Sequence, residues 1–139
     1  MSRILGIDFG TKRTGIAATD PLRITVNPLI AMPTEDVMDF LAGYLGREDV
    51  GEIVCGYPGD ENKQTVQALN SFVQKIKEAF PGIPVKFQAE HFTSKRAAEV
   101  IFRSGMPKKK RREKALVDKV SAVLILQDYL RHLNELKAP

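Results

Sequence analysis

The first stretch of the chain that carries chemistry is R-I-L-G-I-D-F-G-T-K-R-T-G-I-A, residues 3–17. Asp8 stands in an apolar run, where a lone carboxylate is costly unless it is paired, hydrogen-bonded or bound to a cation. Gly10 and Gly15 are spaced as in a phosphate-binding loop, but isoleucine and alanine follow where that motif needs lysine and a hydroxyl residue. The phosphate loop is therefore excluded, and Asp8 needs another partner.

Two further acids are placed to join Asp8. Glu90 ends a predicted strand, and Asp118 interrupts the apolar helix A-L-V-D-K-V-S-A-V-L-I-L, on the same face as Ala122 and Ile125. Alone, Glu90 could be a solvated strand end and Asp118 a first-turn acid favoured by the helix dipole. A magnesium-dependent phosphodiesterase, however, needs two or three hard oxygen ligands from separate segments. Three acids at the edges of one sheet therefore favour a divalent-metal site.

Positive charge is concentrated in one segment, K-K-K-R-R-E-K, residues 108–114. The whole chain has 21 lysines and arginines against 17 acids, a net charge of +4. A solvated, mobile connection is the ordinary interpretation of such a run, but its place just before Asp118 favours nucleic acid, since each phosphate neutralised releases counterions. The predicted substrate-binding residues are Thr11, Lys12 and Arg13 beside Asp8, and Lys108, Lys109, Lys110, Arg111 and Arg112 in the basic run. For Thr11, a turn-stabilising hydroxyl is an equal alternative.

Length and composition bound the possibilities further. A chain of 139 residues fits a single domain, residues 1–139, which can bury about 68% of its unfolded surface. The single cysteine, Cys55, excludes an internal disulfide and a cysteine-rich zinc site, and His91 and His132 are far apart in sequence. No apolar run is long enough to cross a bilayer, and no signal sequence is recognisable. We expect a cytoplasmic protein with no membrane partner.

The elements that position these residues follow from hydrophobic spacing and turn signals. The first two strands form a hairpin closed at residues 10–13, and Thr34 is predicted to cap the first helix. The hairpin makes the leading strands antiparallel, and helical crossovers make the later ones parallel. We predict an α/β fold with a mixed five-stranded sheet flanked by helices. The strands are expected at residues 4–9, 15–19, 26–31, 51–56 and 85–90, and the later helices at residues 66–76, from Thr93 or Ser94 to Gly105, and 115–133.

The chain resembles the YqgF group, also called RuvX, of bacterial ribonuclease-H-like proteins. The resemblance rests on G-I-D-F-G-T-K-R-T-G-I-A and V-D-K-V-S-A-V-L-I-L-Q-D-Y-L, and less specifically on C-G-Y-P and A-E-H-F-T-S. It implies a ribonuclease-H-like fold, with Asp8, Glu90 and Asp118 at the positions of the family's acidic site. It also implies trimming of the 5′ end of the 16S ribosomal RNA precursor, or, by the older assignment, cleavage of four-way DNA (Holliday) junctions.

One segment departs from the family pattern. The family usually has Asp-Glu-Arg where this chain has Ala89, Glu90 and His91. Since neighbouring strand residues face opposite sides, Glu90 retains the carboxylate that can join Asp8. We expect Asp8 to bridge two Mg²⁺ or Mn²⁺ ions about 4 Å apart, with Glu90 on one and Asp118 on the other.

Two questions remain open from the sequence. One is catalysis, because a non-catalytic RNA-binding assembly factor with a decayed site would also fit the altered segment. The other is oligomeric state, because a resolvase is expected to act as a homodimer and an RNA-trimming enzyme can be a monomer.

Overall fold

The computed structural model describes residues 1–90, 93–111 and 113–137. Its centre is a five-stranded sheet in the order β3-β2-β1-β4-β5. The first three strands pair antiparallel, and β4 and β5 join them in parallel, as predicted from the hairpin and the crossovers. The strands are β1 (Arg3–Asp8), β2 (Arg13–Thr19), β3 (Val26–Pro33), β4 (Val50–Tyr57) and β5 (Val85–Ala89).

Helices cover both faces of this sheet. The predicted helices are present, although several begin or end a few residues from the expected positions because end turns lack strong apolar spacing. None of the helices among the described residues combines the length and apolar character that a bilayer crossing requires. The helices are α1 (Val37–Arg47), α2 (Lys63–Ala79), α3 (Thr93–Arg103), α4 (Lys108–Arg111) and α5 (Lys114–Lys137).

The sheet has two chemically different faces because successive strand residues point to opposite sides. One face buries Leu5 and Ile7 of β1 against α1 and α2, in a cluster that includes Leu41 and Ile76. The opposite face buries a smaller cluster against α5, formed by Ile4, Ala17, Val54, Ala122, Ile125, Leu126 and Tyr129. Cys55 is fully buried in the first cluster, as predicted for a core residue.

Glycines let α5 lie unusually close to the sheet. A Cβ added at Gly6 would lie 2.4 Å from Cγ of Leu126, and one at Gly15 would lie 2.1 Å from the carbonyl oxygen of Asp118. A Cβ at Gly56 would lie 2.6 Å from Cδ1 of Ile125. These three glycines form a seat for α5. At Gly15 the close atom belongs to the helix backbone, so a larger residue there would require the helix to move.

A buried ionic cluster fixes the far half of α5. Asp128 is only 3% exposed and accepts two hydrogen bonds from the Arg96 guanidinium of α3, at 2.9 and 3.1 Å. Arg131 donates a third, at 3.0 Å. The hydroxyl of Tyr129 donates to Glu52 of β4 at 3.1 Å. A buried acid left without these partners would be strongly destabilising, so this cluster favours one axial position of α5.

Two local predictions need correction. Thr34 does not cap a helix through its side chain: it begins a short 3₁₀ turn, and its hydroxyl donates to the carbonyl oxygen of Gly10 instead, at 2.6 Å. The alternative interpretation of the basic run, a mobile connection, is wrong for its first part, since Lys108–Arg111 forms α4. Arg112, at its end, lies outside the described residues.

Candidate active site

Asp8 reaches the site as the last residue of β1. It follows Ile4 and Gly6 on the face that α5 covers, and its register partner on β2 is Gly15. Asp8 is partly buried, and no arginine, lysine or histidine of the described chain forms an ion pair with it. Within the described residues, the apolar run seen in the sequence therefore ends in a carboxylate that forms no ion pair with a basic side chain.

Asp118 comes to the same place from α5. The contact between its backbone and Gly15 sets its height above the sheet, and Ala122 and Ile125 of the same helical face are fully buried below it. The predicted inward face of this helix is thus confirmed. One oxygen of Asp118, Oδ2, accepts a hydrogen bond from Nε of Arg13 at 3.0 Å.

Glu90 comes from the loop after β5. Its backbone N–H donates to the carbonyl oxygen of Tyr57 at 2.8 Å, which extends the β4–β5 pairing by one step. Its carboxylate Oε1 accepts a hydrogen bond from the hydroxyl of Thr93 at 2.6 Å. Thr93, predicted only as a possible helix cap, is fully buried and orients this acid.

The three acids line one cleft of about 310 Å³, as the sequence predicted. Arg13, Gly10, Pro58, Thr65 and Ser94 are among the other residues around it. The pKa of Asp8 is raised from 3.8 to about 8, chiefly by burial and in addition by the negative charges of Glu90 and Asp118. Without a cation, this cleft disfavours three ionised carboxylates together.

The acids do not form a ready-made ligand cluster. Among residues 1–90, 93–111 and 113–137, no three His, Cys, Asp or Glu side chains stand close enough to hold one metal ion. Arg13 holds Asp118 and Thr93 holds Glu90. The donor set nevertheless fits Mg²⁺ or Mn²⁺, because every donor is a carboxylate oxygen and Asp8 forms no ion pair with any basic residue that the structure describes.

A cationic groove adjoins the cleft. It is lined by Thr11, Lys12 and Arg13 of the hairpin and by Lys114, Val117 and Asp118 of α5. Thr11 and Lys12 are exposed, as are Lys108 and Lys109 in α4. Lys110 and Arg111 also belong to α4, whereas His91 and Arg112 lie outside the described residues. The structure thus places Lys12 and Arg13 beside the acids, and Lys114, the last residue of the predicted basic run, is a further cation of the groove.

A second groove lies on the other side of Glu90 and has the opposite charge. Tyr57, Pro58, Gly59, Glu61 and Ala89 line it together with Glu90. The lining includes the acids Glu61 and Glu90 and no lysine or arginine. Beside it, the hydroxyl of Tyr57 donates to Asp60 at 2.5 Å, which adds a third acid to this side. Backbone phosphates approaching the cleft are therefore favoured on the hairpin side.

A larger cavity, about 940 Å³, lies at the other end of α5. It runs between residues 22–26 and the C-terminal half of the helix, and its lining includes Arg23, Thr25, Gln127, Arg131 and Glu135. None of the three acids lines it. Size alone therefore does not identify the site, and the converging acids do.

A protein-family model and several individual proteins match most of this chain. A family model described as "RuvX: Holliday junction resolvase" matches residues 2–132. A Porphyromonas gingivalis protein is 47% identical over 133 residues, covering 94% of this chain and 96% of that protein. A Flavobacterium johnsoniae protein is 42% identical over the same shares of both chains. Both carry the name "Putative pre-16S rRNA nuclease".

Solved structures share the fold at low sequence identity. Fowlpox virus resolvase with Holliday junction DNA superimposes with a TM-score of 0.62 at 16% identity, covering 94% of this chain and 98% of the resolvase. Thermus thermophilus RuvC with a Holliday junction substrate gives 0.52 at 19% identity, covering 95% and 96%. At such identities the likeness shows the fold alone, and that fold is the predicted ribonuclease-H-like one.

Proposed function

This chain belongs to the RuvX family, and we propose that it is a metal-dependent endonuclease that processes the 5′ end of the 16S ribosomal RNA precursor. The observation that carries the proposal is the cleft in which Asp8, Glu90 and Asp118 meet from three separate segments. The raised pKa of Asp8 supports it, because a bound cation is what would make its ionised form stable there. The names of the curated relatives favour the RNA substrate.

In this mechanism, Asp8, Glu90 and Asp118 would hold Mg²⁺ or Mn²⁺. When bound, such ions supply a hydroxide nucleophile at neutral pH and stabilise the charge on the departing oxygen. Asp8 must give up its proton for the site to load, and the burial that raises its pKa makes its carboxylate the one most dependent on the cation. Thr93 fixes the Glu90 carboxylate by its hydrogen bond.

The hairpin and the basic residues orient the substrate. Lys12 and Lys114 flank the cleft on the hairpin side and neutralise phosphates on either side of the bond that is cut. Lys108 and Lys109 extend the positive surface along α4. Contacts of this kind bind the backbone of RNA and DNA alike.

The experiment is a cleavage assay on end-labelled precursor 16S leader RNA and on a four-way DNA junction, each with Mn²⁺, Mg²⁺ or EDTA. Wild type and Asp8→Asn are compared at equal folded concentration. We expect metal-dependent cutting of the RNA and a loss of at least about 10³-fold in Asp8→Asn, the scale of removing one preorganised electrostatic group.

The outcomes separate three functions. If only the junction is cut, the protein is a resolvase, which is the activity named in the family description, and the RNA substrate is refuted. RNA retained in EDTA but never cut would leave an assembly factor, the alternative favoured by the substitution at Ala89 and His91. Cutting that survives Asp8→Asn would refute the proposed site.

A further inference from the structure

The ion pair between Arg13 and Asp118 occupies a carboxylate that the proposed function needs for metal. Building on that function, we propose that Arg13 exchanges partners: it holds Asp118 in the metal-free protein and moves to a substrate phosphate when a divalent cation binds. The pair is short, 3.0 Å from Nε to Oδ2, and both residues line the cleft with Asp8 and Glu90. Arg13 is thus a positioning residue that links loading of the metal to binding of the substrate.

The backbone beneath Arg13 is fixed, so the exchange needs only its side chain. The backbone N–H of Thr34 donates to the carbonyl oxygen of Lys12 at 2.9 Å. The side-chain hydroxyl of Thr34 donates to the carbonyl oxygen of Gly10 at 2.6 Å. The hydroxyls of Thr34 and buried Thr14 share a further hydrogen bond of 2.8 Å. These bonds clamp the hairpin on both sides of Arg13, whose side chain is 40% exposed and free to rotate toward the adjoining groove.

Charge makes the two states of Arg13 exclusive. A guanidinium bound to Asp118 repels a divalent cation arriving at the same carboxylate, so one positive group must leave when the other enters. The planar guanidinium fork matches a phosphate as well as it matches a carboxylate. The groove beside it, with Lys12 and Lys114, is where phosphates would be favoured. A released Arg13 therefore becomes available where a nucleic-acid backbone would lie.

Partner exchange predicts positive coupling between metal and nucleic acid. Metal that releases Arg13 strengthens RNA binding, and by linkage RNA strengthens metal binding by the same factor. In Arg13→Gln, Asp118 is free from the start, so metal should bind more tightly without RNA. The coupling between the two ligands should fall in the same variant.

The first test measures Mn²⁺ binding without nucleic acid, by calorimetry or electron paramagnetic resonance. We expect Arg13→Gln to bind Mn²⁺ about tenfold more tightly than wild type, the scale of removing one competing charge. Arg13→Lys, which keeps the charge but loses the fork, should lie near wild type. Lys77→Gln on α2, an exposed site against the opposite face of the sheet, removes the same unit charge and should change affinity by less than about twofold.

The second test measures the affinity for a short single-stranded RNA in EDTA and in Ca²⁺, with a gel to show that the RNA stays uncut. Wild type and Lys77→Gln should bind RNA at least about fivefold more tightly with Ca²⁺, and Arg13→Gln should lose most of that gain. If wild type binds Mn²⁺ but Arg13→Gln shows neither the tighter metal binding nor the reduced coupling, partner exchange is refuted and the nuclease proposal stands. If wild type binds no Mn²⁺ at all, both fall together.

Discussion

The two faces of the sheet use the same strands for different purposes. On the face toward α1 and α2, bulky side chains such as Leu5, Ile7 and Leu41 fill the space between sheet and helices. On the face toward α5, Gly15 and its two counterparts on β1 and β4 leave that space empty so that the helix can approach. The first arrangement stabilises the fold through buried apolar area, and the second sets the height of an acid above the sheet.

This comparison shows that the face on which a strand residue lies decides whether a small side chain is required there. Gly15 forms its ladder step opposite Asp8 and lies against the backbone of Asp118, so one glycine sets the spacing of two acids. The next residue, Ile16, faces the opposite side and is fully buried in the apolar cluster. Loss of volume is harmful on one face, and gain of volume is harmful on the other.

Between the two faces, the largest effect on cleavage is expected from adding a methyl group at Gly15. In Gly15→Ala, the new Cβ would meet the carbonyl oxygen of Asp118 at 2.1 Å, so α5 must move outward. We expect a destabilisation of about 1–3 kcal/mol and a loss of cleavage of about 100-fold, because a displacement near 1 Å is enough to misplace a catalytic group. Urea unfolding and single-turnover cleavage measure the two quantities.

The matched variant is Leu41→Ala on the other face. Leu41 is fully buried in α1, so its truncation should cost about 2–5 kcal/mol of stability. Cleavage per folded molecule should stay within about twofold of wild type. Equal losses of cleavage in Gly15→Ala and Leu41→Ala would show that the two faces do not divide stability from chemistry.

A smaller effect is expected from the pH dependence of stability, and it belongs to the α5 face alone. The pKa of Asp8 is about 8 in the folded protein and 3.8 as the ordinary value, so between these values the folded state holds a proton that the unfolded chain releases. The stabilisation from this proton is complete below about pH 4 and is lost as pH rises through 8. In EDTA, wild type should therefore become less stable from pH 5 to pH 9.

Asp8→Asn removes this titration. The variant should be more stable than wild type by a few kcal/mol at pH 9, and the gap should be much smaller at pH 5. Mg²⁺ should narrow the gap at pH 9, because it stabilises the ionised wild-type carboxylate. Urea unfolding curves at the two pH values provide the measurement, and a gap that does not change with pH would contradict the shifted pKa.

The smallest effect concerns the exposed lysines of α4. The double variant Lys108→Ala with Lys109→Ala should weaken RNA binding several-fold at low salt and reduce the slope of log K against log salt by about 1.4–1.8. The control, Lys75→Ala with Lys77→Ala on α2, removes the same charge from the other side of the sheet. Identical salt slopes in all three proteins would make α4 an ordinary solvated surface.

The sequence predicts the sheet and its acids well because both depend on local signals. Alternating apolar residues reveal strands, and an acid in an apolar run such as Asp8 or Asp118 is conspicuous. Two of the missed features, the Gly15 contact and the Thr34 hydrogen bonds, join residues far apart in the chain. A glycine within a strand signals close approach of some backbone, but nothing in the pattern tells which one.

The ion pair of Arg13 was missed for a similar reason. Its place on the hairpin beside Asp8 correctly put a cation next to the acids, and the predicted role was to hold phosphate. Arg13 instead pairs with Asp118, which is 105 residues away. This contact depends on how the first turns of α5 pack on the sheet. Spacing along the chain fixes which face Asp118 occupies, whereas tertiary packing fixes its neighbour.

The seat of α5 also has a consequence for synthesis of the protein. Asp8 is made 118 − 8 = 110 residues before Asp118, a delay of roughly 5–20 s at the usual rates of translation. Throughout that interval the strands can pair, but the glycine-lined face has no helix and the third acid does not exist. Under the proposed mechanism, a nascent chain therefore cannot cleave RNA near its own ribosome until α5 has been made and has packed on the sheet.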